Sequence, residues 1–392
     1  MFIRMLSRYV ISVFALIALV TTANAQVFST KAKFAVLIDV NSGTTLYEKN
    51  ATEHMPPASM AKMMTLAVVF DALKSGELAL HDTMIVSVDA WKRGGTNSGG
   101  STMFLDPNPK VDPPTVEDLV RGVAVQSGND ASIVLAEGMS GSEEAFAGRM
   151  NSLAKRIGMT NSNFTNSTGL PDPDQYTTAS DLAILGRYLI EEFPDLYPYF
   201  SEPEFTWNKI RQFNRNPLLK TKIGGDGIKT GFTKDSGFGM VGSATQDNQR
   251  LLLVVNGLKT RRIRTEEAKR LLNWGIRSFS SISLFGDGEV IGNAKVFGGE
   301  KSNVEVVSKR PINVLLPKGD SGRITAKVHY RGPLNAPVEA GTPIGEIIIK
   351  VDGKTIQTQQ VYTNEDVATG TLQQRAYDAL WELTGGWIGS KL

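Results

Sequence analysis

The pattern of apolar residues changes near residue 280 and divides the chain of 392 residues into two unlike parts. In the first part, apolar runs at helical spacing alternate with short runs of strand-forming residues. In the second part, residues 290–362 carry almost no helical pattern, and short β-rich runs follow one another between Gly, Pro and Asp. These patterns predict a mixed helix-and-sheet domain followed by a separate all-β domain.

Two hairpins and one helix are predicted with definite bounds. Residues 33–50 combine an apolar run, a turn containing Gly and a return run, which predicts a hairpin. Residues 347–358 contain two strand patterns joined by Asp352 and Gly353, a pair typical of a two-residue hairpin turn. After two consecutive prolines, a stretch rich in Met, Ala and Leu predicts a helix over residues 59–73.

The first 25 residues have the features of an export signal. Arg4 and Arg8 give a positive start, residues 10–20 form an apolar run, and residues 23–25 read Ala-Asn-Ala, a typical cleavage site. The apolar run is shorter than the roughly 20 residues that a membrane-crossing helix needs. We therefore expect a cleaved signal and a mature chain that begins at Gln26, outside the cytoplasmic membrane.

Composition excludes several kinds of chemistry. The chain has no cysteine, so disulfides, thiolate metal sites and thiol nucleophiles are excluded. Its histidines are too few and too scattered for a zinc site, and we expect neither a metal nor a cofactor; they are His54, His81 and His329. A net charge of +2 with no long basic run argues against a nucleic-acid partner. Any acyl chemistry must use Ser, Thr, Lys or a carboxylate.

Three short motifs occur in the first part of the chain. They are Ser-x-x-Lys at Ser59 and Lys62, Ser-x-Asn at Ser127 and Asn129, and Lys-Thr-Gly at Lys229, Thr230 and Gly231. This set resembles that of the penicillin-binding and β-lactamase superfamily. Each motif alone is weak evidence, because Ser152 and Lys155 also fit the first pattern. There we favour the ordinary interpretation, an exposed helix face. The complete set predicts an active site with a serine nucleophile.

The chemistry explains why these residue types belong together. Residues three apart share a helix face, so Lys62 can reach the Ser59 hydroxyl, which needs a neighbouring base to act as a nucleophile. A lysine serves as that base only when neutral, and burial beside the cation of Lys229 would lower its pKa towards that state. A helix that begins at Ser59 would also direct its free N–H groups at an oxyanion.

The other motif residues have complementary roles in this interpretation. Ser127 and Asn129 would relay a proton to the leaving amine and hold the Ser59–Lys62 network. Lys229 and Thr230, on a strand edge, would bind a carboxylate and pair with the backbone of a peptide.

The chain resembles the low-molecular-mass penicillin-binding proteins, the serine D-Ala-D-Ala carboxypeptidases, beyond these motifs. The similarity extends from about Val36 through the β-rich part. The segments that carry it are residues 58–65, 126–131, 169–172, 176–181, 215–219 and 227–233.

This resemblance implies a fold and a division of the chain. The fold is an α/β (α+β) catalytic domain, an antiparallel sheet covered by helices, followed by a smaller all-β domain and a short amphipathic helix. The expected parts are a signal over 1–25, the catalytic domain over 26–280, the β-rich domain over 281–372 and a membrane-associating helix over 373–392.

The resemblance also implies binding roles. The backbone N–H groups of Ser59 and Phe232 would form the oxyanion hole, and Thr230 and Gly231 would bind substrate beside them. Arg264 matches an arginine that helps receive the terminal carboxylate, with Arg261 and Arg262 as alternatives for the same position. Arg215 matches another arginine at the edge of the active site. Some relatives have histidine where Phe232 and Thr168 stand here.

The implied activity is hydrolysis of the terminal D-Ala-D-Ala bond of peptidoglycan stem pentapeptides through an acyl-enzyme on Ser59, with acylation by β-lactams. A DD-endopeptidase acting on cross-links stays open as an alternative, as does a non-enzymatic scaffold. A class A β-lactamase is disfavoured, because it needs a glutamate in a Glu-x-x-Leu-Asn loop. The glutamates between the second and third motifs, none of which opens such a sequence, are Glu137, Glu143, Glu144, Glu191, Glu192, Glu202 and Glu204.

Aromatic and apolar residues gather on or near one side of the predicted C-terminal helix, at Tyr377, Leu380, Trp381 and Trp387. One interpretation is an interfacial anchor that holds the chain on the outer face of the inner membrane, in the periplasm. The alternative is a helix packed on the β-rich domain.

Overall fold

The computed structural model describes residues 28–389 except residues 109, 247–248 and 320–321. The predicted export signal at residues 1–25 lies outside the described residues.

A five-stranded antiparallel sheet forms the centre of the first domain, in the order β2-β1-β7-β6-β5. A separate hairpin, β3 with β4, lies outside this sheet. The strands are β1 (Phe34–Asp39), β2 (Thr45–Lys49), β3 (Glu204–Trp207), β4 (Ile210–Phe213), β5 (Gly225–Thr233), β6 (Gly237–Gln246) and β7 (Gln249–Leu258). Among the described strands β5 pairs with β6 alone, so one edge of β5 is left open for another extended chain.

Helices cover both faces of this sheet. They are α1 (Lys62–Ser75), α2 (Val88–Gly94), α3 (Val116–Arg121), α4 (Asn129–Ser140), α5 (Glu143–Ile157), α6 (Ala179–Glu192) and α7 (Arg261–Ser278). Residues of α1 and α3–α6 share the larger core with one face of the sheet, and α7 packs on the other face. Helix α1 buries every residue from Lys62 to Phe70, which fixes its position inside the domain.

The sequence of β1 is a continuous apolar run because both faces of this strand are buried. Phe34, Val36 and Ile38 belong to the core beneath the helices α1 and α6, whereas Ala35 and Leu37 belong to the core under α7. Side chains alternate between the faces of a strand, so a strand covered on both faces needs apolar residues at every position. The predicted hairpin is confirmed, with Ala35 opposite Lys49.

The second domain is built from strands alone between residues 279 and 363, over the residues that the structure describes. They are β8 (Phe279–Phe285), β9 (Val290–Phe297), β10 (Asn303–Val307), β11 (Ile312–Pro317), β12 (Ile324–Tyr330), β13 (Leu334–Asn335), β14 (Pro343–Val351) and β15 (Lys354–Thr363). Six of them form one sheet in the order β12-β14-β15-β10-β9-β13, and β8 pairs with β11. The predicted fold class, an α+β catalytic domain with an all-β domain after it, is confirmed.

The turn predicted at Asp352 and Gly353 is confirmed by the pairing of Val351 with Lys354. Both turn residues have positive φ, 48° and 82°, as the favoured two-residue hairpin turn requires. The boundary expected between residues 280 and 281 falls within β8 and stays a prediction.

The last element within the described residues is α8 (Leu372–Gly389), which begins one residue before the predicted start. Within the described part of the chain, no helix is both long and apolar enough to cross a membrane.

Candidate active site

Ser59 lies in a short 3₁₀ turn, residues 58–61, immediately before α1. The prediction that the α-helix begins at Ser59 is wrong by one turn, because the regular helix begins at Lys62. The 3₁₀ turn still places residues 59 and 62 above one another, since its side chains repeat every three residues. The Nζ of Lys62 consequently lies 3.2 Å from the Oγ of Ser59.

Lys62 is fully buried and its amine has three acceptors. Besides the Ser59 hydroxyl, Nζ donates to the Oδ1 of Asn129 at 2.7 Å and to the carbonyl oxygen of Thr168 at 2.5 Å. Burial, with a smaller effect of Arg215, lowers the pKa of Lys62 to about 7. The neutral amine is therefore well populated near neutral pH, as a general base requires.

Lys229 has a different effect from the one we expected. After burial, the cation that most lowers the pKa of Lys62 is Arg215 rather than Lys229. Lys229 is itself fully buried, and burial together with Lys62 holds the pKa of Lys229 well below its usual range. Repulsion between two amines is mutual, so the pair favours a state in which only one of them is protonated.

The second motif approaches from the start of α4. Ser127 adopts a left-handed backbone conformation, φ 66°, between the turn at residues 122–126 and α4. Its Oγ is buried and has no hydrogen-bond partner among the described residues, so it is available to a ligand. Asn129 opens α4, and its backbone N–H donates to the carbonyl of Ser101 at 2.7 Å.

The third motif lies on the open edge of β5, against the 3₁₀ turn that carries Ser59. At Gly231, an added Cβ would lie 3.2 Å from the Cβ of Ala58 and 3.3 Å from the backbone nitrogen of Met60. A glycine at this position thus lets the strand approach the nucleophile closely. Phe232 follows with 51% of its surface exposed and stacks on Phe238, with ring centroids 4.2 Å apart.

Arginines cover one side of the cleft. Arg264 is buried, and its Nε has no partner within the described part of the chain. Burial, assisted by Arg261, lowers the pKa of Arg264 to about 10. Arg261 also lines the cleft, whereas the side chain of Arg262 is 84% exposed beside Glu266 and is not among the lining residues. Arg215 donates to Gln126 at 3.4 Å and to the Ser101 hydroxyl.

These residues surround one cleft of about 510 Å³. Of the predicted site residues, those that line it are Ser59, Ser127, Asn129, Arg215, Thr230, Gly231, Phe232 and Arg264. Lys62 and Lys229 are buried behind the wall, and burial, with a smaller effect of the cations around them, lowers the pKa of each. The structure brings all ten predicted residues together.

Sequence reasoning missed the wall formed by residues 99–101 and the carbonyl of Thr168 that holds Lys62. A backbone acceptor leaves no signature in side-chain identity, and only the Gly-Gly pair in the wall could have indicated a close approach to a ligand. Over the described ranges, no cluster of three or more His, Asp or Glu residues is arranged to hold a metal ion.

Comparison with known proteins shows to which family the chain belongs. The family model described as D-alanyl-D-alanine carboxypeptidase matches residues 20–260, and the one described as penicillin-binding protein 5, C-terminal domain, matches residues 279–369. The chain belongs to the D-alanyl-D-alanine carboxypeptidase family. The resemblance noted in the sequence is thereby confirmed.

Relatives and solved structures of this family match the chain over most of its length. D-alanyl-D-alanine carboxypeptidase DacC of Escherichia coli strain K12 is 40% identical over 380 residues, 96% of this chain and 94% of that protein. DacA of Haemophilus influenzae is 39% identical over 348 residues, 88% of this chain and 87% of that one.

Among crystal structures, penicillin-binding protein 5 from Haemophilus influenzae is 39% identical with a TM-score of 0.76, covering 87% of this chain and 98% of that one. Penicillin-binding protein D2 from Listeria monocytogenes in its cefotaxime-bound form is 29% identical with a TM-score of 0.57, covering 64% and 98%.

Proposed function

We propose that this serine-type carboxypeptidase hydrolyses the terminal D-Ala-D-Ala bond of peptidoglycan stem pentapeptides through an acyl-enzyme on Ser59, and that β-lactams acylate the same serine. The observation that carries the assignment of Ser59 is the buried amine of Lys62, 3.2 Å from the Ser59 hydroxyl. With a pKa of about 7, Lys62 can take the serine proton at neutral pH.

Substrate binding uses the open edge of β5. The peptide lies along this edge as an added strand, with its terminal carboxylate towards Lys229, Thr230 and Arg264. The buried Nε of Arg264, which has no partner among the described residues, supports this assignment, because a buried N–H without an acceptor is stabilised by a carboxylate. The scissile carbonyl then faces Ser59, where the backbone N–H groups of Ser59 and Phe232 receive its oxygen.

In acylation, the proton of the Ser59 hydroxyl is transferred to the leaving amine, and an ester bond to Ser59 replaces the amide bond of the substrate. Lys62 takes the hydroxyl proton as the Oγ of Ser59 bonds to the carbonyl carbon. The carbon–nitrogen bond then breaks, and the proton passes from Lys62 through the hydroxyl of Ser127 to the amine of the departing D-alanine. The free Oγ of Ser127 supports this relay, because it has both a donor and an acceptor to offer.

Deacylation reverses the proton path. Water attacks the ester carbon and gives a proton to Lys62, which returns a proton to the Oγ of Ser59 as the ester bond breaks. The product ends in the carboxyl group of the former penultimate D-alanine. When Lys229 carries the proton of the Lys62–Lys229 pair, its charge stabilises the negative charge that develops at the reacting carbonyl.

The alternatives are less well supported. Relatives at about 40% identity are named carboxypeptidases, which favours this activity over a DD-endopeptidase. A class A β-lactamase stays disfavoured, because the sequence lacks the Glu-x-x-Leu-Asn loop of that class.

We also propose that α8 anchors the protein to the periplasmic face of the inner membrane. One side of the helix holds the β-rich domain, since Asp378 accepts the N–H of Gly298 at 2.8 Å and Gln374 donates to the carbonyl of Glu300 at 3.4 Å. Tyr377 and Leu380 are 68% and 63% exposed. Exposed aromatic and apolar side chains on a helix that is held to a folded domain by polar contacts support an interfacial helix.

The activity is tested by incubating residues 26–392 with a pentapeptide that ends in D-Ala-D-Ala and analysing the products by mass spectrometry. We expect loss of one alanine, and no loss with Ser59→Ala. Cleavage at any other bond, or no cleavage by folded protein, overturns the proposed activity.

A further inference from the structure

One carboxylate behind the cleft has no role in the steps above. Glu143 opens α5, and its side chain is only 11% exposed. One carboxylate oxygen, Oε1, accepts both the backbone N–H of Ser167 at 3.1 Å and its hydroxyl at 2.5 Å. The other oxygen, Oε2, pairs with Arg93 at 2.7 Å. Both oxygens therefore have partners that fix the position of the carboxylate.

The loop segment held by Glu143 is also bound to the helix that carries the general base. The hydroxyl of Thr65 donates to the carbonyl of Ser167 at 2.6 Å, and Lys62 donates to the carbonyl of Thr168 at 2.5 Å. Residues 62 and 65 lie on one face of α1, so two consecutive carbonyls of the loop are fixed on one helix. A continuous series of bonds thus connects Glu143, through residues 167 and 168, to the amine of Lys62.

We infer that Glu143 is a positioning residue for Lys62: it holds the loop so that the Thr168 carbonyl directs the amine of Lys62 at Ser59. The negative charge of Glu143 also acts on that amine. This inference rests on the proposed role of Lys62 as the base. Glu143 does not line the cleft, and its oxygens are engaged, so it acts through Lys62 and not on the substrate.

The charges around Lys62 give the direction of the electrostatic effect. Burial and then Arg215 lower the pKa of Lys62, while Asp130 and Glu143 raise it, and the buried amine of Lys229 lies beside it. Asp130 lies on another side, where it accepts the N–H of Met103 at 3.0 Å. Removing the charge of Glu143 consequently lowers the pKa of Lys62 further and populates its neutral form at lower pH.

The experiment compares three variants by the rate of acylation with a fluorescent penicillin as a function of pH. Glu143→Gln keeps an acceptor for Ser167 but removes the charge, whereas Glu143→Ala removes both. Glu144→Gln is the matched control, because Glu144 is exposed and occupies the next position in the same helical turn. Thermal unfolding of each variant verifies that the rates are measured on folded protein.

We expect Glu143→Gln to retain a rate close to that of the unsubstituted chain at high pH, with the rise of the rate displaced to lower pH. Glu143→Ala should lower the rate at high pH by about tenfold or more, because a misplaced base loses much of its effect. Glu144→Gln should match the unsubstituted chain.

Two outcomes overturn the inference: a Glu143→Gln profile that coincides with that of Glu144→Gln, or a Glu143→Ala variant that is acylated at the normal rate. If Glu143→Ala does not fold, the inference is tested by the pH profile of the isosteric Glu143→Gln variant alone. Failure of the proposed function is a different result, because then the unsubstituted chain itself is not acylated at Ser59.

Discussion

The amine of Lys62 lies 3.2 Å from the hydroxyl of Ser59 and is completely buried. This pair places a base beside the nucleophile without any histidine, since none lines the cleft among the described residues. Burial allows Lys62 to act as a base, because a lysine in water would be protonated at neutral pH and could not accept a proton.

The rate of acylation should depend on pH in a definite direction. Burial lowers the pKa of Lys62 to about 7, so the neutral base is scarce well below this pH and abundant above it. We expect the rate constant for acylation by a β-lactam to rise through about pH 7 and then level off. A rate that is constant over this range, or that falls as pH rises through 7, contradicts Lys62 as the base.

Replacing Lys62 by arginine keeps a positive charge but removes the accessible neutral form. Acylation should then decrease by about 10²- to 10⁴-fold, the usual effect of losing a general base. Stopped-flow measurement with a chromogenic β-lactam gives this rate. Lys155→Arg, in the exposed second Ser-x-x-Lys sequence, is the control and should have no effect. Near-normal acylation by Lys62→Arg would mean that the lysine acts only through its charge.

Arg264 should distinguish substrates by their terminal group. Because its Nε is buried and unpaired in the described residues, a free carboxylate gains an ionic hydrogen bond there that a capped amide does not. Arg264→Ala should therefore reduce kcat/KM for a peptide ending in D-Ala by at least about tenfold more than for its amide-capped or ester analogue. Arg262→Ala, at an exposed position, serves as the control. Equal losses on both substrates assign Arg264 to structure instead.

Local patterns predicted the parts of the fold that depend on neighbouring residues. The β1–β2 hairpin and the turn at Asp352 and Gly353 follow from alternation and turn chemistry, and the structure has both. The start of α1 was not predictable, because the apolar pattern of the stretch does not distinguish a 3₁₀ turn from the first turn of an α-helix.

The candidate site likewise contains contacts that the sequence could predict and contacts that it could not. Motif spacing identified Ser59 and Lys62, since their contact is local. The carbonyl of Thr168 and the carboxylate of Glu143 lie far from Lys62 in sequence. Both contacts involve backbone groups of residues 167 and 168, which leave no signature in side-chain identity. Lys229 was the expected cation beside Lys62, yet Arg215 has the larger effect, because only the folded chain determines which charges are close.

The C-terminal helix should be needed for membrane binding and not for catalysis. Deleting residues 373–392 should move the protein from the membrane fraction to the soluble fraction, with unchanged activity on a small soluble peptide. Few cations lie near the helix, so apolar burial carries the binding and added salt should have little effect.

Tyr377→Ser combined with Leu380→Ser retains the contact of Asp378 with the β-rich domain and should weaken sedimentation with phospholipid vesicles. Gln373→Ser, on the same helix, is the control. A full-length mature protein that is already soluble, or a truncation that unfolds, contradicts the anchor.

The most direct test of the account identifies the serine that β-lactams acylate. Ser59 and Ser152 both begin a Ser-x-x-Lys sequence, but the Oγ of Ser152 donates to the carbonyl of Gly148 at 2.9 Å on the exposed face of α5. Intact-mass spectrometry after incubation with penicillin measures the covalent adduct on each variant. We predict a single adduct on the unsubstituted chain and on Ser152→Ala, and none on Ser59→Ala. An adduct that persists in Ser59→Ala contradicts Ser59 as the nucleophile.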